Sequence, residues 1–156
     1  MRLLPQLLLF CFVLAACHAR PKAPPVDAGP PPVVSQEILV RPVQTSQAEV
    51  QYVLIGWKEL ASAYRGRMGP RARSRERSAA ETAVRSVLQA ARTGTPFEQL
   101  MKDYSDDASG QFGGTVVVKP DGRLEPQFQA LALRLHVGEV GVCQTAYGYH
   151  VIKRVK

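Results

Sequence analysis

The sequence predicts an α+β fold: a four-stranded, mostly antiparallel sheet flanked by helices, in the order β-α-α-β-α-β-β. Three observations point there. Runs rich in β-branched and aromatic residues at 50–57, 115–118, 140–145 and 149–155 read as strands. The last two meet around Tyr147-Gly148, a hairpin signal. Between the first and second strands, apolar residues recur at helical spacing in two separate segments.

Each element has a local reason. Val50-Gln-Tyr-Val-Leu-Ile-Gly-Trp57 is the first strand, and a Gly/Arg/Ser-rich loop follows it. Ser78-Ala-Ala-Glu81 has the form of a capping box, and Val84, Val87, Leu88 and Ala91 then mark one helix face. Gly94 is placed to end that helix as a C′ residue. Thr95-Pro96-Phe97-Glu98 suggests a second capping box with Pro at N1. The helix it opens carries Phe97, Leu100, Met101 and Tyr104 on one side. Gly113-Gly114 breaks the chain before the second strand, and 126–135 is a short apolar helix. The helices are expected on one face of the sheet. No internal repeat is visible.

The chain is 156 residues long, enough for one domain with a real core. Its N-terminus reads as an address. Met1-Arg2 is a short positive start, and 3–16 is apolar apart from Gln6. That stretch is too short to span a bilayer and has the form of a secretory signal occupying residues 1–16. It ends Leu14-Ala15-Ala16-Cys17, which resembles the lipobox of bacterial lipoproteins and implies lipidation of Cys17. An ordinary signal peptide with a chance Cys is the alternative. His18 follows, where an inner-membrane retention signal usually has Asp, so the expected location is extracytoplasmic and lipid-anchored, on the outer membrane facing the periplasm if the cell has two membranes. Residues 17–47 contain seven Pro after the Cys and no aromatic residue, and read as a disordered tether. The folded domain is expected at 48–156.

Composition removes several functions. Cys11, Cys17 and Cys143 form no CxxC pair and His is scarce, so neither a zinc site nor a disulfide scaffold is expected. No phosphate-binding P-loop or serine-nucleophile motif appears. No cofactor is expected. The net charge is +7, and six Arg (65, 67, 71, 73, 75 and 77) fall within thirteen residues opposed only by Glu76. The rest of the domain is neutral. An export signal argues against a nucleic-acid partner.

The second half carries five short motifs in order: Tyr104-Ser-Asp-Asp107, Gly113-Gly114, Gly122-Arg-Leu-Glu-Pro-Gln-Phe128, Val137-Gly-Glu-Val140 and Thr145-Ala-Tyr-Gly-Tyr-His-Val-Ile152. This ordered set resembles the parvulin family of peptidyl-prolyl cis/trans isomerases, across about 105 residues. The resemblance implies an apolar proline pocket from Leu124, Phe128 and Leu133, with Val116 a further wall and Tyr147 beside it. It implies a polar cluster of Asp107, Thr145 and His150. It also places Arg65, Arg67, Arg71 and Arg73 in a loop overhanging the pocket, where they would favour an acidic residue before Pro. Anionic lipid or envelope polymer is another ligand for that loop.

Three departures stand out. Parvulins usually carry a His in the first strand, and Tyr52 occupies that position, entering the polar cluster in its place. Gly113-Gly-Thr-Val-Val117 lacks the family's carboxylate and turn Gly. Cys143 falls at a buried Val position and reads as core. The resemblance therefore implies an isomerase that assists folding of extracytoplasmic, Pro-containing polypeptides as a monomer held at the membrane through Cys17. The alternatives are a non-catalytic chaperone or peptide-binding module on the same fold, and a structural envelope lipoprotein binding through its arginines.

Overall fold

A computed structural model describes residues 32–108 and 114–156. The signal sequence, Cys11, Cys17, His18, the first part of the tether and Gly113 lie outside the described residues. The elements are α1 (Gln36–Leu39), β1 (Ala48–Ile55), a 3-10 turn (Lys58–Leu60), α2 (Pro70–Ser74), α3 (Arg77–Arg92), α4 (Phe97–Tyr104), β2 (Val116–Val118), α5 (Pro126–Ala132), β3 (Val140–Thr145) and β4 (Gly148–Arg154). The four strands form one antiparallel sheet in the order β2-β1-β4-β3.

Strand alternation sends two side-chain sets to opposite faces. Val53, Ile55, Val142, Tyr149 and Val151 pack with Val84 and Val87 of α3 and Phe97, Leu100 and Met101 of α4. Val50, Cys143 and Ile152 face the other way, onto Ile38 of α1 and Phe128 and Leu131 of α5. Helices therefore cover both faces, not the single face expected. The reason lies in α5, whose Phe128, Leu131 and Ala132 are all buried, so its apolar stripe needs a sheet face of its own. Gly141 permits the close approach: a Cβ there would meet Ile38, Leu131 and Leu135 at 3.0–3.2 Å.

The hairpin forms as expected, with Thr145 paired to Gly148 across Ala146-Tyr147. Gly148 has φ +137°, and a side chain there would strike the Ile55 carbonyl. Gly94 has φ +92°. Its N–H donates to Ala91 and that of Thr95 to Ala90, the two bonds of a Schellman cap. The capping boxes do not form. The N-caps of α3 and α4 are Glu76 and Pro96, and neither helix has a side-chain cap. Glu81 instead accepts the Tyr149 hydroxyl.

Residues 32–47 correct the expected tether. The Ser35 N–H donates to the Val142 carbonyl at 2.9 Å, and the Val142 N–H donates back to Ser35 Oγ at 3.0 Å. Val33 and Ile38 are buried, and Arg41 is ion-paired to Glu139 at 2.7 Å. The packed body thus begins before 48. Two buried apolar side chains and an edge strand with unpaired backbone groups outweigh the prolines on either side.

Candidate active site

The site lies on the α5 face, at the end of the sheet where β1 and β4 run side by side. Tyr52, Leu54, His150 and Ile152 share that face, since Tyr52 pairs with Ile152 and Leu54 with His150. Asp107 reaches the same place through the segment leaving α4. There the Asp106 N–H donates to the Leu54 carbonyl at 2.7 Å. Buried Ser105 Oγ accepts the N–H groups of Leu54 and Asp107 at 3.2 and 3.3 Å. The segment is thus tied to the end of β1, which brings the Asp107 carboxylate onto the Tyr52 hydroxyl that donates to it.

Beneath this pair, three rings close one wall. Phe128 sits edge-on to Tyr52 (centroids 5.3 Å) and to His150 (5.2 Å). With Val116, Leu124 and Glu125 they line a cavity of about 120 Å³. An apolar cavity of roughly 150 Å³ holds benzene, so this one suits a five-membered ring. Val116, Leu124 and Phe128 are thus brought together on one cavity wall. Leu133 is not: it lies past the end of α5, where it lines a separate groove with Val43, Gln44 and Pro120. Being five residues from Phe128, it is turned away from that side chain's face of the helix.

His150 and Thr145 are buried and joined by a 2.9 Å hydrogen bond between Nε2 and Oγ1. Thr145 Oγ1 also accepts the Tyr147 N–H, which holds the turn. His150 Nδ1 is buried with no partner among the described residues. Burial pushes the imidazole down to about 4, against an opposing pull from Asp107, so it is neutral near pH 7. Cys143 is fully buried and its thiol is pushed up to about 12 by burial, which makes it core and not a nucleophile.

A second, open cleft of about 690 Å³ adjoins the cavity and shares His150 with it. Its walls include Tyr64, Arg67, Asp107 and Tyr147. The Tyr64 hydroxyl donates to the Tyr147 carbonyl, and the two rings meet edge-on at 5.5 Å. The arginines are not a free patch. Arg71 donates to Asp106 and to the carbonyls of Asp103 and Ser105. Arg75 donates to the same buried carboxylate and to the Gly56 carbonyl. Arg73 donates to the Met68 carbonyl, and Arg77 lies over Trp57 and bonds Tyr149 and Glu81. Among the described residues, only Arg65 and Arg67 of the six lack a side-chain hydrogen bond or ion pair, and of these two only Arg67 lines the cleft. Asp106 and Ser105 lie within the Tyr104-Ser-Asp-Asp107 motif, but neither they nor Tyr64 carry a signal of their role in the sequence. The four-residue spacing of Arg71 and Arg75 was a visible hint that both point one way.

A family profile described as a PPIC-type PPIASE domain matches residues 37–156. Foldase protein PrsA of Bacillus subtilis is 38% identical over 65 residues, 40% of this chain and 22% of that protein. Peptidyl-prolyl cis-trans isomerase ESS1 of Saccharomyces cerevisiae is 42% identical over 60 residues, 38% of this chain and 35% of that one. The matched region thus spans about a quarter to a third of these relatives. Among solved structures, peptidyl-prolyl isomerase ESS1 of Candida albicans superposes with a TM-score of 0.59 at 26% identity, over 71% of this chain and 63% of its own.

Proposed function

The chain belongs to the PPIC-type peptidyl-prolyl isomerase family, and on that premise we propose that it isomerises X-Pro bonds in polypeptides folding outside the cytoplasm. The observation that carries this reading is the 120 Å³ cavity walled by Tyr52, Val116, Leu124, Phe128 and His150 beside the Asp107 carboxylate. The barrier to X-Pro rotation is about 20 kcal/mol because the amide has partial double-bond character. Lowering it needs no nucleophile. The cavity grips the ring, and polar groups at its mouth stabilise the twisted amide more than the planar one. Asp107, held by Tyr52, is a charged group there. His150, neutral and bonded to Thr145, orients the network and donates no charge. Arg67, uncompensated in the adjoining cleft, favours an acidic residue before Pro.

Cys17 after the apolar signal supports lipid attachment, extracytoplasmic and on the outer membrane facing the periplasm in a two-membrane cell. The monomeric state and the tether up to residue 31 belong to the same reading. The name foldase carried by a relative supports a role in folding. Tyr52 favours a second reading, a chaperone or peptide-binding module without catalysis, because it stands where the family usually has His. Proton exchange spectroscopy on Pro-containing peptides separates the two. Cis/trans exchange no faster than in buffer, with peptide still bound, refutes the enzyme. Asp107→Ala and Phe128→Ala should each slow an active protein.

A further inference from the structure

Of the six partly buried carboxylates among the described residues, five have a partner. Glu49 bonds Thr115 and Lys156. Glu81 takes Arg77 and Tyr149. Asp106 is clamped by Arg71 and Arg75, Asp107 by Tyr52, and Glu139 by Arg41. Glu125 is the sixth, and it has none among the described residues.

Its backbone position does not explain it. Glu125 is the N-cap of α5, yet its side chain makes no capping bond. Instead it lines the same 120 Å³ cavity as Leu124 and Phe128 and is the one carboxylate on that wall among the described residues. A partly desolvated carboxylate without a counter-charge is costly in proportion to its burial. The other five meet it within the fold, four through ion pairs and Asp107 through the Tyr52 hydroxyl, and Glu125 leaves it open at the mouth of a binding cavity.

The other side presents an arginine. The cavity and the large cleft share one lining residue, His150. The Arg67 guanidinium lines the cleft without a partner among the described residues; of the cleft's two carboxylates, Asp106 is neutralised by Arg71 and Arg75, and Asp107 accepts the Tyr52 hydroxyl. A peptide with its Pro ring in the cavity would pass over His150 and Asp107 toward Arg67 on one side. Its other side would lie against Glu125.

We propose that Glu125 is a specificity-determining residue that selects a basic residue directly after Pro. This rests on the isomerase reading and deepens it: the substrate carries an acidic residue before Pro and a basic one after it. The two opposite charges would also fix the direction in which the chain enters.

The test uses the full chain and peptides that differ only in the residue after Pro: Lys, Gln or Glu. Exchange spectroscopy measures kcat/KM for each. The Lys peptide should be favoured over the Glu peptide by about fivefold at low salt, the upper range for a solvent-accessible ion pair. The preference should fade in 1 M salt, where screening acts over about 3 Å. Glu125→Gln should level the series and Glu125→Lys should invert it. Arg67→Gln should change only a second series, varied before Pro. Equal rates for the Lys and Glu peptides in the unaltered protein, or no inversion in Glu125→Lys, would overturn the assignment. If no peptide is isomerised, the enzyme reading falls alone, because the same series read as binding still orders Lys above Glu. Binding that ignores the residue after Pro, or no binding at all, overturns Glu125 as well.

Discussion

Acidification from neutrality toward pH 4.5 should weaken this fold through His150. The ring is buried between Tyr52 and Phe128, and burial holds its proton affinity well below that of an exposed imidazole. The unfolded chain takes up the proton near 6.5, the folded chain only near 4. The neutral form is therefore the folded form. Its contribution is complete above pH 6.5 and is lost as pH falls from 6.5 to 4. That interval corresponds to roughly 3 kcal/mol, a large part of the 5–15 kcal/mol typical of a domain. Urea unfolding of the unaltered chain and of His150→Gln across this range isolates the effect, because the carboxylate contributions are common to both. The unaltered chain should lose about 3 kcal/mol more than the variant on acidification. Parallel stability curves would show that His150 is not the group excluded from protonation. In the native protein its ring proton resonances should titrate near 4, and below that in Asp107→Asn, because the Asp107 charge is what opposes burial. Isomerase activity should show no histidine inflection between pH 6 and 8.

Tyr52→Phe removes the donor to Asp107 but keeps the edge-on contact with Phe128. It should cost about 1 kcal/mol of stability and lower kcat while leaving KM nearly unchanged; an unchanged kcat would remove Tyr52 from the reaction. Arg75→Ala leaves buried Asp106 short of a counter-charge and should destabilise by about 3 kcal/mol. Arg73→Ala, which loses one bond to a carbonyl, should cost less than ~1.5 kcal/mol; a reversed order in thermal unfolding would contradict the clamp. Ile38→Ala should cost about 2–4 kcal/mol, against ~0.5 kcal/mol or less for exposed Val40→Ala. Equal effects in chemical denaturation would return residues 32–47 to the tether.

The strands at 140–145 and 148–154, the helix ended by Gly94 and the turn before Gly148 were legible because their signals are local. Alternation, helical spacing and a positive φ are properties of neighbours along the chain. The ordered motifs also singled out Leu124, Phe128, Asp107, Thr145 and His150, since each sits at a marked place within or beside a predicted element. Partner choice was not legible. Glu81 could cap α3 or meet Tyr149, and only the packing of α3 on β4 decides for Tyr149. Six clustered arginines looked like one patch until Asp106, buried by the docking of its segment on β1, recruited Arg71 and Arg75. Residues 33–41 carry no strong periodicity, yet an open edge at β3 and a gap over Gly141 give Val33, Ser35 and Ile38 somewhere to go. A charge or an apolar side chain announces in the sequence that it needs a partner. Which partner it finds depends on distances across the fold, and those exist only once the sheet and its helices have been assembled.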